Sequence, residues 1–222
     1  MLNEDPTDLG RPVALAEQAY VRLRDDIIFL RVEPGAPLDD KRISAALGLG
    51  LTPVRDALKR LALERMVVTY PRRGTFASDI LVSDERWLTE IREDLEGSAA
   101  ALAAERATSA ERVALTGLID DLDDDHANHL TADSLGVDYA IHQAIYAASH
   151  NPFLEANLTQ YLNLTIRIWN FGLRRVPTHL AAGRDQRDVV TAIVRGDAAA
   201  ARRAARAHLG EFSAAVRSLL AG

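Results

Sequence analysis

Residues 34–78, PGAPLDDKRISAALGLGLTPVRDALKRLALERMVVTYPRRGTFAS, decide the fold of the first part of the chain. Two prolines flank Gly35, so residues 32–38 are expected to turn. Asp39 and Asp40 place carboxylates where a helix N-terminus welcomes negative charge. Ile43, Ala46 and Leu47 supply that helix with an apolar face, and Gly48 suits its end. A second helix is expected to open at Thr52-Pro53, because threonine caps orphan amides and proline is tolerated at the first helical position. Val54, Ala57, Leu58 and Leu61 recur at helical spacing, which leaves Arg55, Asp56 and Lys59 to point elsewhere. Residues 66–70 and 75–77 are β-prone and bracket Pro71-Arg72-Arg73-Gly74, a turn-rich basic tip, so they read as a hairpin.

Upstream, Ala16, Ala19, Tyr20, Leu23 and Ile27 predict a helix over about 14–30. Helix, helix, turn, helix and basic hairpin is the order of a winged helix-turn-helix. In that arrangement the third helix packs its apolar stripe on the first two and frees its polar side for a major groove. The basic tip suits a neighbouring phosphate row or the minor groove, and Gly74 permits close backbone approach.

The charge distribution agrees with this reading. The 222-residue chain has a net charge of -6, yet residues 11–78 hold 12 Lys and Arg against 8 Asp and Glu. Residues 79–222 hold 14 against 21, so a basic segment sits on an acidic body. The chain has no cysteine, which excludes disulfides and thiolate metal sites and fits a cytoplasmic protein. Every long apolar run is broken by Arg, Asp or Glu, and the acidic first ten residues lack the apolar core of a secretory signal.

The segment 34–78 resembles the DNA-binding domain of GntR-family regulators. Thr52, Pro53, Val54, Arg55, Asp56, Ala57, Leu58, Arg73 and Gly74 match the family pattern in register. The resemblance implies that Lys41, Thr52, Arg55, Arg73 and Gly74 contact double-stranded operator DNA, whereas Lys59 and Arg60 are read as ordinary surface charges. Gly50 and Leu51 stand where the family has Ser-Arg, and Arg65 stands where it has a glycine. The missing arginine reads a guanine edge in relatives, so base reading here is expected to lean on Arg55 and Lys41.

Beyond residue 83 the pattern is helical and Ala/Leu-rich. Helices are expected over about 84–108, 109–129, 134–149, 152–173, 178–195 and 198–220, joined by short loops into an antiparallel bundle. Trp87, Leu88, Ile91, Leu95, Ala99 and Leu102 make the apolar stripe of the first. Asp138 and His142 are four residues apart and share a helical face, and His208 on the last helix could meet them. One carboxylate and two imidazoles are a normal donor set for a divalent transition metal such as zinc or nickel. A buried Asp–His hydrogen bond without metal is the alternative.

Residues 84–220 are similar to the all-helical FCD effector domain of the FadR-type branch of GntR regulators, through IREDLEGSAAALAAERAT, Asp138-Tyr-Ala-Ile-His142 and AIVRGDAAAARRAARAHL. The resemblance implies a metal held by Asp138, His142 and His208, with Gln186 in place of a fourth, histidine ligand. It also implies a small-molecule effector, a carboxylate, gripped by Arg92. Arg167, set among apolar residues, is a second effector-binding candidate. His126, His129, His150 and His179 are read as surface residues.

The expectation is thus a mainly α protein with a DNA-binding domain over 11–78 and a helical effector-binding and dimerisation domain over 84–222. It would be a homodimeric, effector-responsive regulator, a repressor in the commoner case, and not an enzyme. A helical-bundle metalloenzyme built on Asp138, His142 and His208 is the rival, although it leaves the segment 52–74 unused. A bundle that only dimerises is a second.

Overall fold

The structure is a computed structural model that describes residues 10–120, 132–173 and 184–220. The chain divides into two compact units, with the boundary between Ile80 and Leu81.

The first unit holds α1 (Gly10–Ile28), α2 (Asp40–Leu47), α3 (Leu51–Leu63), β1 (Val67–Tyr70) and β2 (Gly74–Ala77). Ala19, Tyr20, Leu23, Ile27 and Ile28 of α1 are buried together with Val54, Ala57, Leu58 and Leu61 of α3, the stripe read from the sequence. Asp39 caps α2 through its side chain, which accepts from the Arg42 amide at 2.8 Å. Gly48 ends α2 in the left-handed region, where glycine carries no steric penalty. The apolar face expected on α2 is shallower than predicted: Ile43 and Leu47 are only half-buried and Ala46 is exposed. A helix of eight residues has room to pack only one edge.

The third helix starts one residue early, at Leu51, and Gly50 at its N-cap makes no side-chain cap bond. Thr52 therefore lies inside the first turn and does not cap it. β1 and β2 pair antiparallel from Val67 opposite Ala77 to Tyr70 opposite Gly74. The segment expected to turn does so at Pro34-Gly35, then runs extended along β2. There the Leu38 amide donates to Thr75 O at 2.8 Å, and the Ala77 amide to Ala36 O at 2.9 Å.

Arg65 adopts φ +63°, a left-handed conformation that costs a residue with a Cβ about 1–2 kcal/mol. That is the physical reason a glycine was expected there.

The second unit holds α4 (Asp84–Arg106), α5 (Ser109–Asp120), α6 (Ala132–Ala148), α7 (Pro152–Leu173), α8 (Arg184–Arg195) and α9 (Ala198–Leu220). The expected ends of two helices, 121–129 and 178–183, lie outside the described residues, as do His126, His129 and His179. His150 is exposed and faces Glu111 at 3.1 Å. Arg112 ties the bundle together: its guanidinium donates to Ala104 O and Ala107 O near the end of α4, and to Ile193 O and Val194 O near the end of α8. A cation near exposed helix carbonyls is favourable.

Of the stripe predicted for α4, only Ala99 is fully buried. Trp87 and Ile91 are 57% and 43% exposed, and Leu88, Leu95 and Leu102 are half-buried. The inward side of α4 is Glu85, Thr89, Arg92, Glu96, Ala99, Ala100 and Ala103. Small residues win that side because α9 packs closely along it: a Cβ added to Gly97 would stand 3.0 Å from Arg206 Cγ. Arg92 and Glu96 are buried there as a pair, and Glu85 accepts from the hydroxyls of Thr89 and Ser213.

Candidate functional site

In the first unit, α3 buries one side and presents the other. Lys41, Thr52, Arg55, Arg73 and Gly74 are all exposed, as are Arg72 and Lys59. Leu38, Asp40, Arg55, Lys59, Thr69 and Gly74 line an open groove of about 670 Å³ between α2, α3 and the hairpin. Arg55 Nε donates to Asp40 Oδ2 at 2.6 Å, a contact that holds the Asp40 carboxyl below its usual range. Exposed ion pairs contribute little, so a phosphate or base edge can compete for this guanidinium.

The hairpin tip turns through Arg72 at φ +62° and Gly74 at φ +104°, the latter glycine's own territory. Arg73 lies with its guanidinium 5.7 Å from the Tyr70 ring. Lys59 pairs with Asp56 at 3.0 Å, and Arg60 covers Tyr20 while pairing with Glu17 and Glu64.

The second unit holds a buried polar cluster. Arg92 on α4 is 0% exposed and meets Glu96 Oε1 through Nε at 2.8 Å and Nη2 at 2.6 Å. The Tyr146 hydroxyl donates to the same oxygen at 2.6 Å, and His142 Nδ1 lies 3.0 Å from Glu96 Oε2. On its far side, His142 Nε2 approaches Asp138, Gln186 and His208. One donor atom from each of Asp138, His142 and His208 lies within 4.8 Å of the others, and all three residues are buried. A continuous polar chain therefore links α4 to α6, α8 and α9 through the bundle.

The electrostatics follow from burial and pairing. Burial works to raise the Glu96 pKa, but the Arg92 charge, then His142 and the bonds from His142 and Tyr146, outweigh it and hold the carboxyl well below its usual range. Burial depresses His142, yet the carboxylates of Glu96 and Asp138 leave its pKa raised. For His208, burial together with the His142 charge outweighs the pull of Asp138 and Glu96, and its pKa falls to about 4.

Sequence reasoning brought Asp138, His142, His208 and Gln186 to one place, and they do meet. It missed Glu96, the carboxylate that holds Arg92. The signal was available: Glu96 follows Arg92 by four residues, one helical turn on the same face. Arg167 is buried on α7 between the buried Ile166 and Ile168.

Whether these residues fit a metal turns on two observations. Asp138 Oδ2 is buried without a hydrogen-bond partner, which an ion would satisfy. Against this, Gln186 Nε2 lies 2.7 Å from Asp138 Oδ1, 3.0 Å from His142 Nε2 and 3.2 Å from His208 Nε2. A zinc ion sits roughly 2.0–2.2 Å from such donors, so ion and amide would claim the same point. As the side chains stand, the residues do not fit a resident metal.

A basic winged helix-turn-helix coupled in one chain to a helical bundle with a charged interior defines a transcription regulator. Comparison with known proteins gives the same answer. Residues 15–77 match the model of the bacterial regulatory proteins of the gntR family, and residues 87–211 match that of the FCD domain. The chain belongs to the GntR family and carries its FCD domain.

An HTH-type transcriptional regulator in an unstable DNA locus of Streptomyces ambofaciens is 29% identical over 194 residues, 86% of this chain and 80% of that one. The HTH-type transcriptional repressor RspR of Escherichia coli K12 is 30% identical over 105 residues, 47% of this chain and 46% of that one. The fold is similar to that of E. coli McbR/YncC, with a TM-score of 0.78 at 23% identity over 92% of this chain and 97% of that one. The matched family is one of bacterial regulatory proteins and both sequence relatives are named as transcriptional regulators, which sets the metalloenzyme rival aside. Among the described residues, no helix is long and apolar enough to cross a membrane.

Proposed function

We propose that this GntR/FCD regulator is a cytoplasmic homodimer that binds a palindromic operator and releases or grips it in response to a small carboxylate. The DNA-binding domain is 11–78 and the effector-binding and dimerisation domain is 84–222. The observation that carries DNA contact is the division of α3 between a buried stripe and an exposed basic side. Arg55 and Lys41 read base edges, Thr52 and Gly74 offer close approach to the backbone, and Arg73 adds charge at the wing.

Three further observations support the rest. Arg92 Nη1 is fully buried without a hydrogen-bond partner, a donor that an anionic effector would take. The cavity beside Glu96, His142, Tyr146, Gln186 and His208 is only about 10 Å³, roughly one water, so an effector must part the bundle to enter. That requirement gives the ligand something to change, because ligand and DNA couple only through states that differ in affinity. The exposed Trp87 and Ile91 on α4 suit a second copy, which would cover the apolar stripe.

Arg167 is the second effector contact in this reading. The zinc or nickel that the resemblance implies at Asp138, His142 and His208 is no part of this reading, because Gln186 stands where their donors converge. Repression, the role named for the relative RspR, is the expected sign. The test is binding to the chain's own upstream promoter duplex at low ionic strength, by fluorescence anisotropy. Specific retention that weakens steeply with salt is expected, and retention equal to that on scrambled duplex sinks the assignment.

A further inference from the structure

Asp138, His142 and His208 come from helices α6 and α9, and a fourth residue, Gln186 of α8, reaches the point where their donors converge. We infer that the Gln186 carboxamide nitrogen takes the place of a metal ion in this chain, so that the cluster is assembled without metal.

The argument is geometric. Gln186 is 1% exposed, and its amide nitrogen lies 2.7, 3.0 and 3.2 Å from the three donors. Those are hydrogen-bond lengths from a common centre, where an ion would draw the same donors in to roughly 2.0–2.2 Å. An amide NH2 carries two hydrogens. One goes to the Asp138 carboxylate, and the two imidazole nitrogens share the other.

The orientation is set by charge. With the amide turned over, its oxygen would face a carboxylate oxygen at 2.7 Å, a repulsive contact. Glu96 supports the arrangement from behind. Its oxygen can only accept from His142 Nδ1, 3.0 Å away, so in the neutral ring Nε2 turns its lone pair toward Gln186.

A histidine at position 186 would offer a lone pair and leave the centre to an ion. Glutamine, one bond more flexible, brings a donor into the centre itself. One neutral side chain thereby does what a cation does elsewhere: it binds a carboxylate and two imidazoles from separate helices to a single point. The inference is independent of the DNA-binding assignment, which would survive its failure.

The test uses the full chain after exhaustive chelation, titrated with zinc and with nickel by isothermal calorimetry and followed by thermal melting. Wild type is expected to show no saturable one-to-one uptake and no rise in the melting temperature. Gln186→Ala, which empties the centre, and Gln186→His, which adds a fourth donor, are expected to gain uptake. The histidine variant should bind at least tenfold tighter than the alanine variant and melt higher when loaded. Circular dichroism establishes that each variant is folded, and the alanine variant carries the test if the histidine variant is not. One equivalent bound by wild type and lost in His142→Ala overturns the inference, as does a failure of both folded variants to take up metal.

Discussion

Replacing Glu96 by alanine leaves Arg92 charged and fully enclosed, and the consequence is large enough to measure cleanly. In the native bundle the guanidinium lies 2.8 and 2.6 Å from Glu96 Oε1, which also accepts from Tyr146 at 2.6 Å, while His142 stands 3.0 Å from Oε2. Both Arg92 and Glu96 are almost wholly shielded from water. Breaking a buried pair by removing one partner costs about 3–5 kcal/mol, most of it from the stranded charge. The second unit spans Leu81–Gly222, about 140 residues, and at ~2.1 cal/mol/K per residue its unfolding entropy is ~0.3 kcal/mol/K.

A cost of ~4 kcal/mol therefore lowers its melting temperature by about 13 °C. Differential scanning calorimetry reads this directly, and the transition of the first unit, which lacks the substituted residue, serves as internal control. The double variant Arg92→Leu/Glu96→Leu removes both charges and should regain most of the loss, since a buried pair is often replaceable by apolar side chains. A fall of less than about 3 °C in the single variant, or a double variant no better than the single, would show that the charge is not stranded and that the buried-pair account is wrong.

Alanine at Lys41, Arg55 or Arg73 should weaken operator binding. Arg73→Ala should also reduce the slope of log affinity against log salt by about 1, whereas Lys41→Ala and Arg55→Ala should narrow the preference for operator over scrambled duplex. Unchanged affinity and preference in all three variants would remove these residues from the interface. Arg65→Gly should stabilise the first unit by about 1 kcal/mol in urea denaturation, because glycine accepts the left-handed backbone at φ +63° without a Cβ penalty; a destabilised variant contradicts this.

His208 should make the second unit acid-sensitive. Its folded pKa, about 4, lies below the unfolded value near 6.5, so its contribution is complete above pH 6.5 and is lost as pH falls toward 4, by ~3 kcal/mol at most. His142, shifted the other way, contributes below pH 6.5 and loses that contribution at higher pH. His208→Asn should flatten the acid limb of a stability-versus-pH curve measured by chemical denaturation. Trp87→Glu with Ile91→Asp should turn the proposed dimer into monomers in sedimentation, without loss of helicity; dimers that persist in the variant place the interface elsewhere.

The sequence alone determined whatever depends on neighbours in the chain. The Val54–Ala57–Leu58–Leu61 stripe, the acidic helix start at Asp39-Asp40, the Gly48 stop and the basic hairpin tip are local patterns of period and backbone preference, and each stands where the pattern put it. Charge partition and motif register then carried the reading as far as the class of protein. What only the tertiary structure decided is which side of a helix faces in and which distant atoms meet. On α4 the oily residues looked like the core side, yet close packing of α9 selects the small ones and Arg92 with Glu96, leaving Trp87 outside.

The meeting of Gln186 with Asp138, His142 and His208 spans 48, 44 and 22 residues of chain. The types of those residues announced a donor set. Whether its centre holds an ion or an amide depends on where a flexible side chain ends, and that is settled by the charges and helices packed around it.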